Sequence, residues 1–168
     1  DAVVGNSGRN VLYVNNGSGS FSFSQNMGNA TTQHILLGDT DSDGDLDIYV
    51  MNGNSEANRT WKNNGSGSFT ITTQPMGSSS SMDGHMADFD RDGDLDVFAA
   101  GYGPNKVWLN NGSGSFSDSG LSLGSATCWG ADAGDVDGDG DMDVTAINPS
   151  TRANTIWAGA PVAISGRF

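Results

Sequence analysis

The chain has 168 residues, enough for one domain of ordinary size, and a formal net charge of −13. Its seven Lys and Arg residues form no cluster, which argues against nucleic acid or an anionic membrane surface as a partner. No apolar run approaches the ~18–20 residues of a membrane span, and a lone cysteine, Cys128, permits no intrachain disulfide and reads as a small buried hydrophobe.

Taken in chain order, Asp1–Asn6 aligns with the later segment Asp47–Asn52. A strand over Val11–Val14 carries Tyr13. Asn16-Gly17 follows, a hairpin signal because both residues tolerate positive φ. The alternating run Phe21-Ser-Phe23 predicts the next strand, and His34–Leu37 another. That strand leads into Asp39-Thr-Asp41-Ser-Asp43-Gly44-Asp45-Leu46-Asp47. Asp47–Met51 leaves it as a short β-branched and aromatic run, predicted to be a buried strand.

Arg59–Lys62 then carries Trp61, Asn64-Gly65 turns the chain, and Phe69–Ile71 returns. The series recurs with a second acidic segment, Asp88-Phe-Asp90-Arg-Asp92-Gly93-Asp94-Leu95-Asp96, then Asp96–Ala100, Trp108, Asn111-Gly112 and Phe116–Asp118. A third copy runs Asp135-Val-Asp137-Gly-Asp139-Gly140-Asp141-Met142-Asp143, followed by Asp143–Ile147 and Trp157. The acidic segments begin 49 and then 47 residues apart.

Each acidic segment matches D-x-D-x-D-G-x-x-D, the pattern of a calcium loop. Calcium takes six to eight oxygen ligands, and carboxylates at positions 1, 3 and 5 of a tight turn converge on one point. Gly44, Gly93 and Gly140 at position 6 supply the positive φ that folds the chain back. Position 7 is expected to offer a backbone carbonyl, with the side chains of Asp45, Asp94 and Asp141 turned outward. Asp47, Asp96 and Asp143 at position 9 are expected to close the site. Leu46, Leu95 and Met142 at position 8 are expected to turn into a core. Magnesium is disfavoured by its octahedral demand, and zinc by a chain with two scattered His and one Cys.

A helix-loop-helix site is excluded, because position 12 is Val50, Ala99 and Ala146 rather than Glu. Fifteen of the 20 acidic residues lie in the three loops, so the acidity is a metal-site signature rather than a disordered tail.

One unit of about 47 residues then comprises four short strands, the signature of a β-propeller blade. The expected fold is all-β, with four-stranded antiparallel blades in about three and a half repeats and a calcium loop between the first two strands of each. The expected divisions are a partial blade over 1–31, blades over 32–78 and 79–126, and a degenerate one over 127–168. The periodic aromatics Tyr13, Trp61, Trp108 and Trp157 are expected to pack between blades.

This combination resembles the FG-GAP/VCBS family of calcium-binding propeller repeats, related to those in integrin α-subunit heads and many secreted bacterial proteins. The match spans essentially the whole chain. In that family the loop joins the two inner strands of a blade. The resemblance therefore implies about three calcium sites, at Asp39, Asp41, Asp43, Asp45 and Asp47, at Asp88, Asp90, Asp92, Asp94 and Asp96, and at Asp135, Asp137, Asp139, Asp141 and Asp143. Asp1 falls at the last position of a possible fourth, shared loop.

Val162–Phe168 reads as the fourth strand of a final blade or as a first strand, resembling His85–Phe89, that lacks its loop. Three resolutions of the incomplete first blade are open. The chain is part of a longer propeller, or it closes on itself as a small propeller of about four blades, or copies complete one another in a ring or filament. The functional expectation is a non-catalytic, extracellular adhesion or self-assembly module stabilised by calcium. The alternative is a carbohydrate-binding propeller, with Trp129 and His85 as candidate platforms and a glycan or protein as ligand. Catalysis is disfavoured because no nucleophile elbow, zinc His pair or phosphate loop is present.

Overall fold

The computed structural model describes residues 1–72, 74, 76–77, 80–124, 127–149 and 155–157. All regular structure among them is β. The strands are β1 Ala2–Val4, β2 Ser7–Asn15, β3 Phe21–Gly38, β4 Asp47–Asn52, β5 Arg59–Asn63, β6 Phe69–Ile71, β7 Ser81–Ala87, β8 Asp96–Gly101, β9 Lys106–Asn110, β10 Phe116–Asp118, β11 Gly130–Gly134, β12 Asp143–Ile147 and β13 Thr155–Trp157. Every pairing is antiparallel. No helix among these residues is long and apolar enough to cross a membrane. The expected strand at Val162–Phe168 lies outside the described residues.

The sheets depart from the expected set of separate four-stranded units. They comprise a six-stranded sheet β1-β2-β3-β4-β5-β6, a four-stranded sheet β10-β9-β8-β7 and a three-stranded sheet β11-β12-β13. The six-stranded sheet arises because β3 is continuous. Its first half pairs with β2 as far as Thr31, and its second half pairs with β4 from Thr32. The intervening segment Ser24–Gln33 holds no proline, so each N–H is available to a ladder, and Gly28 at φ 83° accommodates an irregular register. Among the described residues later in the chain, the corresponding pairings are the isolated bridges Asn58 with Met76 and Asn105 with Leu123.

By strand order we distinguish an opening unit (β1, β2 and the first half of β3), unit I (the second half of β3 to β6), unit II (β7–β10) and unit III (β11–β13). Side-chain alternation on the second strand of each unit explains how they stack. Ile48 and Val50 on β4 join a core with Leu12, Met27 and Trp61, facing the opening unit. Tyr49 and Met51, on the other face, join Val97, Ala99 and Phe116 of unit II. Phe98 and Ala100 on β8 in turn meet Val144 and Ala146 of unit III, with Cys128 buried in the same cluster. Strands buried on both faces read as continuous apolar runs, which is why β4 and β8 show no polar alternation.

The periodic tryptophans pack in these seams. Trp61 is 8% exposed, and Trp108 and Trp157 lie against the next two clusters. Each tryptophan ring faces a left-handed glycine of the preceding unit: Gly28, Gly77 and Gly124, at φ 83°, 66° and 70°. Leu46 differs from expectation, being 56% exposed rather than turned into a core. Leu95, its counterpart, lies against Gly38 of unit I, and Met142 packs on the seam with unit II. The opening unit offers Leu46 no such neighbour, because no strand equivalent to the second half of β3 precedes β1 among the described residues.

Candidate metal centres

Each acidic loop joins the first two strands of its unit, β3 to β4, β7 to β8 and β11 to β12. The turn is organised by its own carboxylates. Asp39 accepts hydrogen bonds from the N–H groups of Asp43 (3.2 Å) and Gly44 (2.9 Å). Asp88 does the same for Asp92 (3.1 Å) and Gly93 (3.0 Å), and Asp135 for Gly138 (2.7 Å) and Gly140 (2.9 Å). The position-5 carboxylates of Asp43, Asp92 and Asp139 accept from the position-7 N–H at 2.9, 3.0 and 2.8 Å. Position 6 is left-handed in all three loops, at φ 93°, 96° and 87° for Gly44, Gly93 and Gly140. Position 4 is left-handed as well, at Ser42, Arg91 and Gly138, a feature the sequence reading missed because only Gly138 signals it.

These turns bring three carboxylates together in each loop, with oxygens within 4.8 Å of one another: Asp39, Asp41 and Asp43; Asp88, Asp90 and Asp96; Asp135, Asp137 and Asp143. The side chains at position 7 point elsewhere. Asp45 and Asp94 lie against the hairpin glycines Gly65 and Gly112, and Asp141 pairs with Arg91 of the neighbouring loop.

Position 9 has a second role that spacing alone does not reveal. Asp47, Asp96 and Asp143 are buried. Asp47 Oδ1 accepts from Asn63 N (2.8 Å) and Asp96 Oδ1 from Asn110 N (2.8 Å), fastening the Asn-Gly hairpin to the loop. The second oxygen caps position 2: Asp47 takes Thr40 N (3.2 Å), Asp96 takes Phe89 N (2.9 Å) and Asp143 takes Val136 N (2.8 Å). Asp1 Oδ1 accepts from Asn15 N at 2.9 Å, the same relation to the first hairpin.

Burial pushes the Asp96 carboxyl up to about 7, against the pull of the N–H groups of Asn110 and Phe89, with Asp90 and Asp92 adding repulsion. Asp90 is raised for the same first reason, desolvation, and then by Asp92.

The donor set suits a hard divalent cation. It consists of carboxylates only, held close enough to repel strongly without a counter-charge. In the first loop, Asp41 Oδ1 is buried with no hydrogen-bond partner, an orphaned acceptor of the kind an ion satisfies. Calcium bound there would neutralise clustered charge and tie the two strands of a unit to one point.

Two further devices escaped the sequence reading. The side-chain amide of Gln25 clamps the edge strand of unit I, donating to Phe69 O (2.6 Å) and accepting from Phe69 N (3.0 Å). Gln74 clamps Phe116 of unit II in the same way. Their separation, 49 residues, equals the loop spacing and was the available signal. Of the candidate ligand platforms, Trp129 is 61% exposed, whereas His85 is paired with Asp132 at 3.0 Å.

The molecule is thus an all-β protein of stacked antiparallel units, of which units I, II and III each carry an acidic turn at the same place. The family model described as FG-GAP-like repeat matches residues 1–50, 39–98 and 88–146, and the chain belongs to that family. Among curated proteins no match is found.

Proposed function

We propose that this chain is a non-catalytic, calcium-stabilised β-propeller module of a secreted or cell-surface protein, acting in adhesion or self-assembly. The convergence of three carboxylates in each of three equivalent loops carries the calcium reading. Calcium abundant outside cells would keep such loops loaded, which supports an extracellular setting. Each ion would stabilise the fold by mass action, about 2.7 kcal/mol per site at free calcium a hundredfold above Kd.

Self-assembly is supported by apolar side chains left exposed among the described residues. Val4, Leu37 and Leu46 are exposed on the opening unit and unit I, and Ile147 (56% exposed) and Ile156 on unit III. Val50, Leu95 and Met51, the counterparts of Val4, Leu46 and Ile147, lie against a neighbouring unit. A second copy, or further units of a longer protein, would cover these faces. Light scattering with calcium and with excess chelator tests this reading. A calcium-dependent rise in mass supports assembly; a monomer under both conditions removes it.

A carbohydrate-binding role is the second reading, favoured by the exposed indole of Trp129. Glycan-array binding lost in Trp129→Ala would support it.

A further inference from the structure

The three loops differ in how much of their charge is already spent. In the first loop, Lys62 Nζ lies 3.1 Å from Asp41 Oδ2, with both side chains partly buried. Lys62 stands on β5 beside Trp61. The matching residue beside Trp108 is Leu109, which packs in the seam with unit III. Thr40 adds a second difference, because its hydroxyl also donates to Asp47 Oδ2. The residues at its position in the other loops, Phe89 and Val136, carry no side-chain donor.

The consequence is visible in the carboxylates that converge. The second and third loops gather positions 1, 3 and 9, whereas the first gathers Asp39, Asp41 and Asp43 and leaves out Asp47. Arg91 provides a contrast. It reaches Asp141, a position-7 residue outside the converging group, and so leaves the third loop's ligands untouched.

We propose that Lys62 is a tethered cation competing with calcium at the first loop, making that loop the weakest of the three. The proposal rests on the calcium reading above. Calcium at Asp41 would have to displace the ammonium from Oδ2. The lysine has somewhere to go, since Nζ also donates to the carbonyl of Ser113 in the hairpin of unit II. The side-chain amide of Asn110 from that hairpin holds the Thr40 carbonyl at 2.8 Å. Filling the first loop therefore acts on the seam between units I and II, whereas the other two loops bind without disturbing a lysine.

Calorimetric titration of the whole chain with calcium tests this, with thermal unfolding as the check on folding. The wild type is expected to show two tighter sites and one weaker. Lys62→Met, which keeps the apolar stem, should tighten the weak site about tenfold and leave the other two within about twofold. Lys62→Leu, the side chain found at the matching place in unit II, gives the same result if the first variant folds poorly. Asp39→Asn should remove the weak class alone. Three equal sites in the wild type, or a weak class unchanged by both lysine variants, overturns the proposal while leaving calcium binding standing. A wild type that takes up no calcium overturns both.

Discussion

At the scale of single residues, the loop carboxylates divide by role. Positions 1 and 3 converge in all three loops, as a tight turn around a hard cation requires, but position 5 joins them only at Asp43; in the other two loops the third carboxylate comes from position 9, Asp96 and Asp143. The left-handed fourth residue was not legible, since Ser42 and Arg91 do not advertise positive φ. Nor was the double duty of position 9, because the partners of Asp96 are backbone N–H groups, one of them 14 residues away.

That double duty makes Asp96→Asn informative. An amide offers one oxygen where the carboxylate uses two, so a buried N–H loses its acceptor. In chelator the variant should lose about 1–3 kcal/mol of stability, measured by denaturant unfolding. In calcium it should also lose binding at one site. A variant as stable as wild type would show that Asp96 does not fasten the hairpin.

Asp96 also sets a pH trend for the calcium-free protein. Its carboxyl titrates near 7 when folded, against an ordinary value of 3.8. The folded state therefore holds the proton more tightly. The stability this adds is fully present below about pH 4 and is lost as pH rises through about 7. Thermal midpoints in chelator across that window should show this decline, and Asp96→Asn should flatten it. A wild type whose stability rises over the same window with no contribution removed by the substitution would contradict the assignment.

At the scale of elements, short strands were legible because β-branched and aromatic runs sit between Asn-Gly turns. The continuity of β3 was not. Its two halves face different partners, and the Thr and Asn residues joining them carry no apolar period. The glutamine clamps were hidden for a similar reason, since a side-chain amide that mimics a strand looks like any surface glutamine.

The closeness of strands makes one substitution decisive. On β7, a Cβ at Gly84 would lie 2.2 Å from the Phe98 carbonyl and 2.1 Å from Met51 Cε, across the seam with unit I. Gly84→Ala must push strand and neighbour apart, and should cost about 1–3 kcal/mol in denaturant unfolding. Tolerance of alanine without loss would mean that units I and II do not pack as described.

At the scale of the whole molecule, the second strand of each unit shares its two faces between two seams. The cores are therefore interfaces between units rather than interiors of units. This follows from the sequence once the repeat is seen, because Ile48-Tyr49-Val50-Met51 has no polar face to give to water. The number of units does not follow from the sequence pattern, because each seam is a contact between two neighbours and carries no count.

In such a stack the acidic loops lie at corresponding places, one per complete unit, and the account stands on their holding calcium. The most direct measurement is calcium stoichiometry by equilibrium dialysis on the intact chain, repeated with Asp88→Asn. The account predicts three ions per chain and two in the variant at the same free calcium. Uptake of no calcium, or the same number in both proteins, would contradict it.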